Sequence, residues 1–527
     1  MIKKINQFIS TPSFRVPFFL FILAILICLP LVIFNDIPTK DVASRYAPMA
    51  DAFAAGNWQY AFHPRTPILF PSLAGMLAYI TGSSGFLACK IISCLFFALS
   101  IFPFYGIMQR LFSGKVAFVS TLLLVFCSHL ARLSYTGLRD TLKGFAFILA
   151  LYGLVLLYQN RRKFGGYLAC AVGCAFLIIT RGECTLYALV IMLCAFCLEL
   201  RENKTISWPW RSMCAMVILI VIIAPALCYN YKTIGYHVPE LRLGIIMSKN
   251  MPFLYNEKAT IPFGKTKVIS AKKHRQKRIP QKTKSTEKQS FGDFILQSFK
   301  GFFPYFSLFA IPIIYSRIRD KKWTAEESIV LVTLLGHYIL LILQIFISDG
   351  KLFVTRRYML PVAPLAFGWT ALFLIQTWEH SIKKYPIATP KVGLVLGVLL
   401  MMVLCNDSAL PVVKQHSGGK HTREKSATLK LASWIKADYS GPRSYAPDII
   451  RRKYRSSALP TVQSNNLHSV GYLSGGTNVS DRERMDYFVS VEKESAPQTE
   501  LKNADLGMQF TVSGYRYTVW KTKGAVQ

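Results

Sequence analysis

The stretch 40-KDVASRYAPMADAFAAGNWQYAFHPRTP-67 lies just past the first long apolar run of the chain, 16-VPFFLFILAILICLPLVIF-34. That run is long enough to cross a bilayer as a helix. It follows Lys3, Lys4 and Arg15, as the core of a signal peptide would, but it is long for one and many further apolar runs come after it. A retained first span is therefore expected. The quoted stretch is then the first loop outside the membrane, and it carries acids, bases and a Trp where a short turn would serve. On a helix, Val42, Tyr46, Met49 and Phe53 recur at i, i+4, i+7 and i+11 and make one apolar face, suited to a membrane surface or a bundle. Pro48 falls inside that helix and is expected to kink it. Asp41 stands at its start, where a carboxylate suits the helix dipole.

Working outward, the 527 residues are 52% hydrophobic with a mean hydropathy of +0.34, too apolar for an ordinary soluble protein of this size. Apolar runs near 16–35, 85–108, 115–131, 141–158, 165–180, 183–200, 212–230, 299–316, 327–348, 358–378 and 391–405 read as spans. The expected fold is an all-α polytopic bundle of about eleven transmembrane helices, with amphipathic helices in the first external loop (36–84). The short apolar stretch 67-PILFPSLAGMLAYI-80 reads as a surface-lying or re-entrant helix.

With the N-terminus in the cytoplasm, the inward loops 109–115, 159–166, 201–211, 317–323 and 379–391 each carry at least two Lys or Arg. The outward loops near 131–140 and 349–357 carry some Arg as well, so the charge rule leaves the orientation open. An odd number of spans puts the C-terminus outside. The long outward loop 231–298 contains a basic stretch, 258–288, with eleven Lys or Arg against one Glu. Long loops translocate regardless of charge. The stretch reads either as a solvated segment near anionic lipid or as an electrostatic trap for an anionic substrate.

The net charge of +35 is spread over such loops, and no RNP, zinc-finger or helix-turn-helix pattern accompanies it, so nucleic acid is not an expected partner. All twelve Cys fall in or beside apolar runs, which excludes a disulfide framework or zinc ribbon. From 406 to 527 the chain is polar enough for a small external α/β domain, leaving 1–405 as the transmembrane domain. Leu431, Trp434, Ile435 and Asp438 have helical spacing, 485-MDYFVSV-491 reads as a strand, and 510-FTVSGYRYTVW-520 reads as a hairpin turning at Ser513-Gly514.

The order of motifs resembles a family. Asp41 just past the first span, then 45-RYAPMADAFAAGNW-58 and 62-FHPRTPILFPSLAGM-76, looks like the first external loop of the GT-C membrane glycosyltransferases. The likeness is to the protein mannosyltransferase and lipid A aminoarabinose transferase branch. The stretches 138-LRDTLKGFAFILALYGL-154, 177-LIITRGECTLYAL-189, 225-PALCYNYKTIGYHVP-239 and 356-RRYMLPVAPL-365 continue it in order. The chain departs from the pattern where Val42 replaces a second acid, where Arg65 is followed by Thr66-Pro67, and where Pro225…Tyr229-Asn230 lacks a Trp and an Arg.

This resemblance implies transfer of a sugar, with inversion, from a polyprenyl-phosphate donor to a lipid, glycan or protein acceptor at the outer face of the membrane. Asp41 is then the candidate base, because an acceptor hydroxyl is a poor nucleophile until its proton is taken. Arg45, Arg65, Arg139, Arg181, Arg356 and Arg357 are candidate ligands of substrate, the arginines being suited to a leaving phosphate. Tyr46, His63 and Tyr358 are candidates to hydrogen-bond sugar or phosphate, and Asp140 to orient the acceptor or pair with an Arg. No carboxylates stand in a D-x-D pattern and no Walker or GxGxxG loop occurs, so no cofactor is required, although a divalent metal is compatible with the family. The implied place is a bacterial inner membrane, with the site and the C-terminal domain on the periplasmic side. A transporter or flippase of lipid-linked glycans, and a polysaccharide polymerase or ligase, share the bulk features. The first of these calls for ionisable residues near mid-span, which are few here.

Overall fold

A computed structural model describes residues 12–64, 66–160, 164–202, 209–239, 304–347, 362–384, 420–438, 461–464, 477–478, 487–493, 504–512 and 515–522, with isolated residues between them, Arg162 and Tyr358 included. The first span, α1 (Pro12–Phe34), shows how sequence becomes bundle. Leu20, Ala24, Cys28 and Val32, spaced by four, are at most 2% exposed, while Phe18, Phe19, Leu26, Leu29, Ile33 and Phe34 on the other faces are 44–60% exposed. A helix apolar all round can turn its larger residues to lipid and its smaller ones to neighbouring helices.

Within the first loop (36–84) lie α2 (Ala47–Ala54), α3 (Trp58–Ala61) and α4 (Leu69–Thr81), followed by α5 (Gly85–Leu99) continuing into α6 (Ile101–Leu111). Next are α7 (Gly114–Val125) and α8 (Ser128–Tyr135), then α9 (Asp140–Gln159), α10 (Phe164–Thr180), α11 (Thr185–Glu202) and α12 (Trp210–Ile234). The later helices are α13 (Pro304–Arg319), α14 (Ala325–Ile347) and α15 (Phe367–Lys384). Among the described residues, six helices are long and apolar enough to span, or seven if α7 and α8, bent by 50°, form one broken span. The straight span expected at 115–131 is thus replaced by this bend. The short helix expected near 67–80 is α4.

Helices α9 and α10 approach closely because small residues face each other. A Cβ on Gly153 would lie 2.6 Å from the Gly166 carbonyl oxygen, and one on Gly173 would lie 2.6 Å from the Ala150 nitrogen. That is the small-residue packing expected where no hydrophobic effect holds helices together. At the C-terminus of α1, Lys90 of α5 donates to the carbonyls of Val32 (2.6 Å) and Asn35 (2.7 Å), and Asn35 donates to the Tyr135 carbonyl (3.0 Å). A buried ammonium there satisfies carbonyls left open at the helix end.

On the opposite end of the bundle, Thr324 and Glu327 form a capping box on α14. The fully buried Glu327 also takes both Nε and Nη2 of Arg317 at 2.7 Å and the Trp369 Nε1–H at 3.0 Å, tying α13, α14 and α15 together.

In the polar C-terminal region, α16 (Lys420–Asp438) precedes a sheet of β1 (Thr461–Ser464), β2 (Thr477–Asn478), β3 (Tyr487–Lys493), β4 (Ala504–Val512) and β5 (Tyr515–Thr522), in the order β2-β1-β3-β5-β4. β4 and β5 pair antiparallel with Val512 opposite Tyr515, as the alternation of 510–520 foretells; Ser513 and Gly514 lie outside the described residues. Leu431 and Ile435 are fully buried on α16, and Trp434 sits against Gly507 of β4.

Candidate active site at the membrane surface

The chain leaves α1 and re-enters a helix at Lys40, but not as one regular α-helix. Val42–Tyr46 form a π-helical turn, closed by the Ala47 N–H donating to the Val42 carbonyl, and α2 begins after it. Pro48 therefore does not sit inside one continuous α-helix. A proline in a continuous α-helix would press on the carbonyl four residues back, that of Ser44, and leave it without a donor. The wider turn relieves that clash and puts Pro48 in the first turn of α2, where its missing N–H costs nothing. Val42, Tyr46 and Met49 are buried as their spacing foretells, facing the bundle rather than the membrane surface. Phe53 turns instead to Trp58 and Phe62. The loop is anchored where the Gly85 N–H, at the start of α5, donates to Asp51 at 2.5 Å.

Asp41 is half-buried at the start of this turn, and its carboxylate makes no capping hydrogen bond. Arg45 is half-buried, with its Nε enclosed and given no hydrogen bond. Tyr46 is 2% exposed, edge-on to Phe70, with the Arg139 guanidinium 5.8 Å from its ring centre. Burial pushes the Tyr46 phenol above its ordinary value; Arg139 pulls it back, Asp140 and Asp41 add to the rise, and Arg181 opposes it. One phenol thus feels Asp41, Arg139, Asp140 and Arg181 together, which brings three separate sequence stretches to one place.

The second half of the site is built where α9 begins and α10 ends. Arg139 donates through Nη1 to the Thr180 carbonyl at 3.0 Å. Arg181, 4% exposed, lies between two carboxylates, with Nη1 3.7 Å from Asp140 and Nε 3.6 Å from Glu183. Those separations are too long for hydrogen bonds, and Nε and Nη1 of Arg181 have none. Its guanidinium also covers the Tyr358 ring, 4.5 Å from the centroid. His337 of α14 holds the Tyr358 backbone carbonyl through Nε2 at 2.9 Å, so Nε2 carries the proton. The arrangement fixes a buried cation's charge while leaving its donors open, which suits it to an incoming oxyanion.

Not every expected residue meets there. His63 is half-buried in the turn after α3, beside Phe62, whose ring lies edge-on to Tyr229 at 5.6 Å. Arg65, Arg356 and Arg357, like the basic stretch 258–288, lie outside the described residues. Lys143, Thr180, Glu183 and His337 join the site although they were not among the expected ligands. Their signal was visible as polar or ionisable residues inside or at the ends of apolar runs, which in a membrane protein mark function by default. Among the described residues, no group of three or more His, Cys, Asp or Glu could hold a metal ion.

Residues 65–229 match the family model of dolichyl-phosphate-mannose-protein mannosyltransferases. No curated protein matches the sequence significantly. In structure, the chain is similar to ArnT from Cupriavidus metallidurans, solved bound to undecaprenyl phosphate, at 12% identity and a TM-score of 0.57, covering 97% of this chain and 98% of that one. It is also matched to the oligosaccharyltransferase AglB from Archaeoglobus fulgidus, solved with an inhibitory peptide and dolichol-phosphate, at 12% identity and a TM-score of 0.48, covering 91% of this chain and 69% of that one. Over residues 65–229 the chain thus resembles that mannosyltransferase family, and over its length it shares the fold of ArnT.

Proposed function

We propose that this multi-pass membrane protein is a glycosyltransferase that moves a sugar, with inversion, from a polyprenyl-phosphate donor to a hydroxyl acceptor at the outer face of a bacterial inner membrane. The observation that supports it most is the Arg181 guanidinium, enclosed between Asp140 and Glu183 with two donors unfilled, in the same electrostatic cluster as Asp41. In this reading Asp41 takes the proton of the acceptor hydroxyl. The acceptor oxygen bonds to the anomeric carbon as the bond from that carbon to the phosphate oxygen breaks. The electron pair leaves with the polyprenyl phosphate, whose growing negative charge Arg181 and Arg139 offset. A single displacement inverts the anomeric centre. Every step runs on the chain's own residues. The division between a transmembrane unit (1–405) and an external unit (406–527) belongs to the same proposal.

The test is transfer from a panel of polyprenyl-phosphate sugars by protein in nanodiscs, comparing wild type with Asp41→Asn. The expected result is sugar transfer by wild type and a loss of about 10²–10⁴-fold in the variant, with unchanged membrane insertion. Equal rates would remove Asp41 as the base. No transfer with any donor would turn attention to a flippase.

A further inference from the structure

The end of the bundle opposite Asp41 carries a closely tied turn that sugar transfer does not use. Helix α13 stops at Arg319, and Lys321 has φ 56°, the one non-glycine residue in the left-handed region among the described residues. The Lys321 N–H donates to the Ile318 carbonyl (3.2 Å) and the Lys322 N–H to the Arg317 carbonyl (2.9 Å). That is the Schellman ending of a helix, whose left-handed position ordinarily holds Gly because a Cβ there is strained. Arg317 tightens the turn, donating through Nη2 to the Lys322 carbonyl at 2.7 Å, and Trp323 stacks on Trp369 with ring centres 5.9 Å apart and planes 4° from parallel. The turn is pinned, and it holds a lysine where glycine would cost less. Local strain of this kind persists where the strained residue is used.

The charges around the turn are unequal. Arg317 is taken up by Glu327 at 2.7 Å, and Arg319 pairs with Asp320 at 3.1 Å. Glu326 accepts from Gln159. Lys321 and Lys322 are exposed, and their ammonium groups make no hydrogen bond or ion pair among the described residues. The loop 109–115, whose Phe112 ring centre lies 5.7 Å from the Arg317 guanidinium, adds Arg110 and Lys115 and no acid. Six cations thus stand against three carboxylates, Asp320, Glu326 and Glu327, in this region. Along α13, Ile311, Tyr315 and Ile318 recur at i, i+4 and i+7 and are each more than half exposed, so one apolar column runs to the base of the turn. The Arg319 guanidinium lies 5.9 Å from the Tyr315 ring centre at the head of that column. An apolar column that ends in a tyrosine and unpaired lysines is complementary to a molecule with an acyl chain and an anionic head.

We propose that the α13–α14 turn binds one anionic glycerophospholipid of the adjoining leaflet, its phosphate at Arg319, Lys321 and Lys322 and an acyl chain along Ile311, Tyr315 and Ile318. Diffuse attraction of basic loops to anionic lipid needs no fixed geometry; a strained lysine on a pinned turn supplies one. The site stands apart from the Asp140–Arg181 cluster and does not depend on sugar transfer.

The test counts lipids bound to the delipidated full chain in a neutral detergent by native mass spectrometry, titrating dioleoyl phosphatidylglycerol and, separately, dioleoyl phosphatidylcholine. Wild type is expected to take up one phosphatidylglycerol well before any phosphatidylcholine. Lys321→Gly should weaken that first binding about fivefold, and Lys321→Gly with Lys322→Gln about 25-fold, as loss of one and two cations near a lipid surface should. Lys321→Arg should keep it, and phosphatidylcholine binding should not change in any variant. Without lipid, the Tm of Lys321→Gly should equal or exceed that of wild type, because the left-handed strain is gone. Arg201→Gln removes one exposed charge from the C-terminal turn of α11, outside the site, and should leave the first binding unchanged. The proposal is overturned if the double variant binds phosphatidylglycerol as wild type does, if Arg201→Gln loses as much as Lys321→Gly, which would leave only diffuse attraction, or if wild type does not distinguish the two lipids. A lipid-free Tm of Lys321→Gly below that of wild type overturns it too, since the lysine would then serve the turn itself.

Discussion

Lys425 of the C-terminal helix α16 closes an ion pair of 2.5 Å with Asp36, five residues before Asp41. The C-terminal region and the first external loop therefore share one side of the membrane. The Asp36 side chain is 45% exposed, so the pair contributes at most about 1 kcal/mol to stability. Its effect should appear in docking rather than in Tm. Lys425→Glu is expected to speed proteolysis of the C-terminal region while leaving Tm within a few degrees of wild type. The charge-swapped pair Asp36→Lys with Lys425→Glu should restore protection.

Breaking the buried Asp140–Arg181 pair from one side should be costly, since it strands a carboxylate that is 3% exposed. Arg181→Gln is expected to destabilise by about 3–5 kcal/mol, with much of that recovered in Arg181→Gln with Asp140→Asn. Thermal unfolding in detergent would show it. A double variant no more stable than the single one would mean that Arg181 matters through packing on Tyr358 instead.

Gly85 is one point where the first loop meets the bundle. A Cβ there would press on the Ala47 carbonyl and lie 2.8 Å from Asp51 Oδ1. Gly85→Ala should therefore cost about 1–3 kcal/mol by overpacking. Because the same contact seats the π turn, transfer should fall more steeply than Tm. A rate that merely follows the folded fraction would show that the seat is not needed for chemistry.

Glu327 supplies the contrast. It lies ten residues before His337 on α14, about 15 Å along the helix axis. Glu327→Gln is expected to lower stability by about 3–5 kcal/mol, because Arg317 loses a fully buried carboxylate partner. Affinity for polyprenyl phosphate in the folded fraction should be unchanged.

Much of this architecture could be read from the chain alone. The first span and the pairing of β4 with β5 follow from length and alternation. The grouping of Asp41, Arg139, Asp140 and Arg181 around Tyr46 fits their place at the ends of apolar runs. Other features were not legible. Apolar residues four apart suit a π turn as well as an α turn, so nothing in Val42–Tyr46 marks the extra width. The 50° bend between α7 and α8 falls at Phe126-Cys127, where neither Gly nor Pro interrupts the apolar run. Lys143 and His337 were visible as charges or rings in apolar surroundings. Their shared neighbourhood with Arg181 depends on how α9, α10 and α14 pack, which no local pattern encodes.

The π turn has one more implication, for how this surface could change over time. An inserted residue in a helix rotates everything after it by about 100° relative to what came before. Asp41 and the buried side of α2 therefore hold an angular phase that an unbroken helix through the same residues could not supply. Loss of a single codon within 42–44 would reset that phase, swinging the carboxylate away from Arg139 and Arg181 while leaving every residue of the cluster in the gene.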